Sequence, residues 1–248
     1  MKNILHRITL VAALLLGSNQ DMEAQMPSGN VNPFSPAVLK VFGNQTNFSA
    51  STELRLSDGA TTLEGASKMA VLDGKVRTEI DMSKMKSASV TPAMLGQMKQ
   101  MGADQTVLIV RPDKGVTYMV YPTLKAYIEM PLAESDKQGS KKDPKITTTL
   151  VSKETIDGHP CVKNKVVITD EKGKSQEILV WNATDMKNFP AQMEMKENDA
   201  TIVTKFKNVQ FAKPDSKQFD PPAGYKKYAG IQELQQVMMQ KMMGTSPK

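Results

Sequence analysis

The chain has 248 residues, 40% of them apolar, 23% charged and 5% aromatic, with 32 Lys and Arg against 26 Asp and Glu. That length supports one sizeable domain with its own core, and the ordinary charge and apolar content exclude wholesale disorder or a polytopic membrane protein. A single cysteine, Cys161, excludes a disulfide framework or a cysteine-rich zinc site, and two histidines leave little for imidazole chemistry.

Lys2, His6 and Arg7 form a basic head before the apolar run Ile8–Leu16. That run is too short to cross a hydrocarbon core of about 30 Å, which takes about 20 helical residues. A basic head, a short apolar run and then small or polar residues make a secretory signal peptide, expected over residues 1–24 with cleavage after Ala24 or after Gly17. No cysteine follows the run, so a lipid-modified N terminus is not expected. Loss of 1–24 removes Lys2 and Arg7 together with Asp21 and Glu23, so the net charge of +6 is kept, and His159 becomes the lone histidine. The lysines are scattered among Asp and Glu without a basic stripe between aromatics, which excludes a nucleic-acid partner. A soluble protein outside the cytoplasm is expected, with no transmembrane segment after signal cleavage.

Residues 25–44 read as a flexible leader, since 26–37 are rich in Pro, Asn, Ser and Gly. From Asn47 to Leu56 the residues alternate as a half-buried strand does. Met69–Ile80 holds Asp73-Gly74 between two alternating runs, a strong hairpin signal because both turn residues need positive φ. Val107–Tyr121 makes a second hairpin around Pro112-Asp-Lys-Gly115, and Pro122-Thr123 turns into Lys125–Met130. After a Lys/Ser/Gly/Asp linker at 133–145, strands are expected at about 146–156, 161–169, 176–182, 190–196 and 200–211. The turns between them come from Asp157-Gly158, Glu171–Lys174 and Glu197-Asn198-Asp199.

Two helices interrupt the pattern. Thr91 can cap the first, Pro92 suits its first position and Gly102 stops it. Met94, Leu95, Met98 and Met101 fall on one face of it. The second covers about 230–243, with Ile231, Leu234, Val237, Met238 and Met242 on a broad apolar side. The fold class is mainly β with few helices: a bent antiparallel sheet or incomplete β-barrel over 45–228, covered by one internal helix and by a Met-rich C-terminal helix and tail at 229–248.

The stretches Met69–Arg77 and Arg111–Tyr127, with Phe206–Phe211 and Phe219–Tyr225, resemble the periplasmic lipoprotein-carrier-like class, the LolA/LolB fold. The resemblance is closer still to a bacterial exported domain of unknown function near that class. It implies a periplasmic half-barrel whose helices line or plug a hydrophobic cavity, and a hydrophobic or acyl ligand, a lipoprotein or membrane lipid among them.

Methionine is the unusual component, 18 in all, clustered at Met82/Met85, Met94/Met98/Met101, Met193/Met195 and Met238/Met239/Met242/Met243. Helix-spaced methionines pack cores, but flexible thioethers also suit a plastic ligand surface, and soft sulfur selects copper(I). His159-Pro160-Cys161 brings an imidazole and a thiol within two residues, without the further ligands a metal needs or an orienting group a nucleophile needs. Ser83-Lys84-Met85-Lys86 has Ser-x-x-Lys spacing but none of the partner motifs of penicillin-recognising enzymes. No nucleophile elbow, phosphate loop or dinucleotide fingerprint is present. The expectation is a non-enzymatic binder with no catalytic residue, cofactor or metal site. Its cavity is expected to be lined by Met94, Leu95, Met98, Met101, Trp181, Leu234 and Met238, and a lysine at Met98 to abolish uptake without unfolding. A Met-thioether copper(I) protein and a structural or interaction module with a filled core remain as alternatives.

Overall fold

The computed structural model describes residues 36–58, 61–132, 137, 144–169, 173–197 and 199–242. The expected signal peptide and the first part of the leader lie outside them. Thirteen strands form one sheet: β1 (Asn47–Ser57), β2 (Thr62–Leu72), β3 (Lys75–Asp81), β4 (Lys86–Ser87), β5 (Gln105–Arg111), β6 (Val116–Tyr121), β7 (Ala126–Pro131), β8 (Lys145–Ile156), β9 (His159–Thr169), β10 (Ser175–Ala183), β11 (Phe189–Glu197), β12 (Ala200–Gln210) and β13 (Lys226–Tyr228). Among the described residues three α-helices accompany it: α1 (Pro36–Leu39), α2 (Pro92–Met101) and α3 (Ile231–Met242).

Among the described residues the sheet order is β13-β7-β6-β5-β3-β2-β1-β12-β11-β10-β9-β8, with β4 beside β2. The sheet is open, and its edges are β13 and β8. Chain neighbours pair antiparallel because short turns join them, with Asp73 and Gly74 at φ 49° and 83° and Asp157 and Gly158 at φ 51° and 88°. Two such meanders, β2 to β7 and β8 to β12, are joined through β1, which pairs with β2 on one side and with β12 on the other. In the second ladder Thr52 lies opposite Phe206 and Leu54 opposite Thr204. The expected mainly-β half-barrel with two covering helices is the observed fold.

The strands alternate between an inner and an outer face. On β5, Leu108 and Val110 point inward, while Val107 and Ile109 join Ala70, Leu72, Tyr118, Val120 and Phe219 on the outside. α2 and α3 cover one part of the inner face. The other part is covered by a segment read as leader. α1 continues into a 3-10 turn at Lys40–Phe42, and Val38 and Phe42 are buried against Phe48, Phe189 and Phe206. The Phe42 ring centroid lies 5.0–5.4 Å from those three rings. The leader at 25–44 therefore ends in a packed helical plug: the Pro and Asn residues around it dilute a short run in which Val38 and Phe42 are one helical turn apart.

The outer face is crossed by the segment after β12. A 3-10 turn at Ser216–Phe219 drops the fully buried Phe219 onto the outer surface of β2, β5 and β6. Arg111, itself buried, donates from Nη1 to Phe219 O (3.0 Å) and to Asp220, and from Nε and Nη2 to the two carboxylate oxygens of Asp113 (both 2.8 Å). Arg77 Nη1 adds a bond to Gln218 O (3.4 Å). The chain then forms β13 along β7 and turns into α3 on the inner face. At the far end the sheet curls. Asp157, in the β8–β9 turn, reaches Lys205 and Lys207 of β12 at 3.3 and 2.7 Å although β10 and β11 lie between.

Replacing Phe219 by Ala removes the anchor of this outer crossing and should cost about 3–5 kcal/mol in urea unfolding. A loss below about 1 kcal/mol would show that the crossing is held without it. The hydrogen bonds from Arg111 hold the Asp113 carboxyl below the usual carboxylate range, against the opposing effect of burial. A depressed folded value means that this contribution is complete above the unfolded pKa of about 3.9 and is lost as pH falls through the folded value. Wild type should therefore lose its stability advantage over Asp113→Asn as pH is lowered below about 4, and parallel pH–stability curves there would exclude the contribution.

Candidate functional site

The site is built on the inner face of β5, β6 and β7. Thr91 Oγ1 accepts from the Met94 amide (3.2 Å), Pro92 occupies the first turn of α2 and Gly102 ends it at φ 77°. A Cβ at Gly102 would stand 2.8 Å from Leu124 Cδ2, so this stop packs closely as well as turning. Glu233 closes the start of α3 by accepting from the Ala229 amide (2.8 Å). The two helices lie against each other and against the sheet.

Six buried methionines, Met82, Met85, Met98, Met101, Met119 and Met238, converge there with Leu63, Tyr121, Ile128, Tyr228 and Leu234. The Tyr121 hydroxyl donates to Met119 Sδ (2.9 Å), and burial pushes the phenol well above its ordinary pKa. Of the expected lining residues, Met98, Met101, Leu234 and Met238 are brought together in this cluster and Leu95 packs partly against it. Met94 is half-buried and stands outside the cluster.

Trp181 is a correction. It lies on the outer face, buried with Cys161, Ala183 and Ala191, because Ile178 and Val180 of the same strand point inward and alternation turns Trp181 away. Its Nε1 donates to Glu154 Oε2 (2.9 Å), and Lys163 Nζ sits 4.6 Å from the ring centroid. Met119, Tyr121 and Tyr228 belong to the site and were missed. The alternation of Thr117, Met119 and Tyr121 along β6 carried the signal for the first two.

Between the phenylalanine and methionine clusters the inner face is polar. Thr52 Oγ1 and Ser67 Oγ share a hydrogen bond of 2.5 Å on paired positions of β1 and β2. The hydroxyls of Thr78 and Thr106, on β3 and β5, are buried with no hydrogen-bond partner among the described residues. Leaving such a group unpaired costs about 1–3 kcal/mol. Two cavities of about 240 Å³ lie away from the methionine cluster: one is lined by Ser49, Lys68, Arg77, Glu79, Asn208 and Gln218, the other by Leu39, Lys40, Asp73, Gly74, Pro112 and Asp113. Under α2 and α3, Met98, Met101, Leu234 and Met238 pack on one another.

His159 and Cys161 are not assembled as a nucleophile pair. His159 Nδ1 lies 2.8 Å from Asp185 Oδ2, while the Cys161 thiol donates to His159 O (3.3 Å) and burial pushes its pKa up. Among the described residues no group of three or more His, Cys, Asp or Glu is placed to hold a metal, and no helix is long and apolar enough to cross a membrane.

Among solved structures, the chain is similar to the Mycobacterium tuberculosis lipoprotein LppX (12% identity, TM-score 0.40, 72% of this chain and 96% of that one). It is similar also to a domain of a lipoprotein-sorting protein of the Vibrio parahaemolyticus outer membrane (10%, 0.35, 75% and 96%) and to a LolA superfamily protein from Nitrosomonas europaea (11%, 0.31, 75% and 96%). No curated protein matches the chain significantly. The sequence pattern of a family described as a domain of unknown function, DUF4412, matches residues 62–189, which include two of the four stretches that carried the resemblance, 69–77 and 111–127, and not 206–211 or 219–225. Because the match spans just over half of the chain, the protein belongs to the DUF4412 family.

Proposed function

We propose that this protein is an exported, non-enzymatic binder of a hydrophobic or acyl ligand in the bacterial periplasm. The observation that carries the proposal is the methionine-rich contact between α2, α3 and the inner face of the sheet. Thioether side chains have three rotatable bonds and repack at low cost, so a contact built from six of them can open and close around varied apolar shapes. In the ligand-free state the helices fill the space that the ligand takes. On binding they move off the sheet, and burial of apolar ligand surface contributes about 25 cal/mol per Å². The unpaired hydroxyls of Thr78 and Thr106 support an acyl ligand, because an ester or carboxyl oxygen accepts the hydrogen bonds that they lack.

Native and denaturing mass spectra of protein purified from a bacterial envelope test this reading, with lipid extraction of the same sample. The expected result is a discrete mass lost on denaturation and an acyl lipid in the extract. A bare mass, combined with no uptake of a fluorescent fatty acid, would overturn it.

The burial of Met98, 4% exposed, also changes what its substitution does. Lysine there carries an unpaired ammonium into an apolar cluster, so M98K should unfold at several kcal/mol lower stability rather than merely lose uptake. M98L with M238L preserves volume and should stay within about 1.5 kcal/mol of wild type. The stiffer side chains should weaken fatty-acid uptake about fivefold, roughly 1 kcal/mol. Unchanged uptake in that double variant would count against the helices as a deformable cover.

A further inference from the structure

The edge strand β8 is exposed along almost its whole length, and only Ser152 and Ile156 are half-buried. Four large apolar side chains are exposed among the described residues. Three of them stand on this strand, Ile146, Leu150 and Val151 at 37, 62 and 52%, and the fourth is Met239 on α3. Among the described residues β8 pairs with β9 alone, so the backbone groups on its other side are open to an incoming strand. Natural edges of this length are blunted by lysine, proline or a charge pointing inward. Ile146–Ser152 contains none of these, and Lys145, Lys153 and Glu154 stand just outside it.

We propose that β8 is the contact between two copies of this chain, paired antiparallel about a two-fold axis at Thr148 and extending the sheet across both. In such a pair, directly opposite residues share a face, so the axis passes through a residue position. With the axis at Thr148, Thr147 faces Thr149 of the second copy and Ile146 faces its Leu150. Ile146 and Thr148 lie opposite Ile168 and Val166 of β9, which belong to the inner core, so the apolar inner face runs on across the junction. The pairing uses only the regular part of β8. A bulge between Leu150 and Ser152 breaks the ladder immediately beyond it. Moving the axis to Thr147 sets Lys145 against Thr149 and Leu150 against Pro144, which loses both apolar pairs. Moving it to Thr149 drives the ladder into the bulge and brings Lys145 towards Lys153 of the other copy. A five-residue ladder buries less than the roughly 1,200 Å² of a tight complex, so the dimer is weak, with a Kd of about 10 µM or above.

The test combines sedimentation velocity with cysteine crosslinking. Wild type should shift from monomer towards dimer as its concentration rises through about 10 µM to 1 mM, whereas Thr148→Lys, which sets like charges opposite each other, stays monomeric with an unchanged circular dichroism spectrum. In a Cys161→Ala background, Thr148→Cys places two thiols across the axis at a Cα separation of about 4.5–5.5 Å, within the range a disulfide spans. Its disulfide dimer should form at least about tenfold faster than that of Thr155→Cys, which lies on the same strand beyond the bulge. A wild type that stays monomeric at about 1 mM, or equal crosslinking at positions 148 and 155, overturns the proposal.

Discussion

The arrangement of the whole molecule depends on the guanidinium of Arg111. Standing at the end of β5 on the outer face, it reaches Asp113 in its own turn and Phe219 O and Asp220 in the segment that follows the last long strand. That segment leaves the middle of the sheet at β12 and has to arrive at the β7 edge to form β13. Only from there can α3 lie on the inner face beside α2. The arginine satisfies four acceptor oxygens on three residues at once and brings Phe219 down onto apolar side chains from three strands. Because the guanidinium is buried, its removal takes the shared donor from Asp113, Asp220 and the Phe219 carbonyl at once. The outer crossing therefore positions the inner site.

Two different kinds of packing cover the inner face. Around Phe42 the rings of Phe48, Phe189 and Phe206 meet tilted or edge-on at 4.9–5.6 Å, a geometry with narrow orientational freedom. Under α2 and α3 the same sheet meets methionine, whose torsions are free and whose sulfur tolerates many contacts. One part of the face is thus dominated by aromatic rings and the other by thioethers, with the hydroxyls of Thr52, Ser67, Thr78 and Thr106 between them.

Local features were legible in the sequence because neighbouring residues cause them. Asp73-Gly74, Pro112–Gly115 and Asp157-Gly158 specify turns, Thr91-Pro92 and Gly102 bound α2, and helical spacing identified Met98, Met101, Leu234 and Met238. Trp181 was expected in the lining because the unbroken apolar run Ile178–Trp181 does not show which face points inward; the structure turns Ile178 and Val180 in and Trp181 out. The plug at Val38–Phe42 was hidden by the composition around it. Neither β13 nor the outer crossing could be read, because Phe219 and its arginine are 108 residues apart and nothing local announces their meeting.

The double role of β1 also constrains how the chain reaches this state. Each meander, β2 to β7 and β8 to β12, closes through short turns, apart from the β3–β5 connection that carries β4 and α2, and this costs little loop entropy. The ladder between β1 and β12 instead joins Ser57 to Thr201 and Thr52 to Phe206, across nearly the whole domain. Contact-order reasoning places that ladder late, after the two meanders have formed as separate halves. Until it closes, β1 and β12 each keep an unpaired edge in the middle of the future sheet. Folding of this protein is thus a race between joining its own halves and joining those of a neighbour.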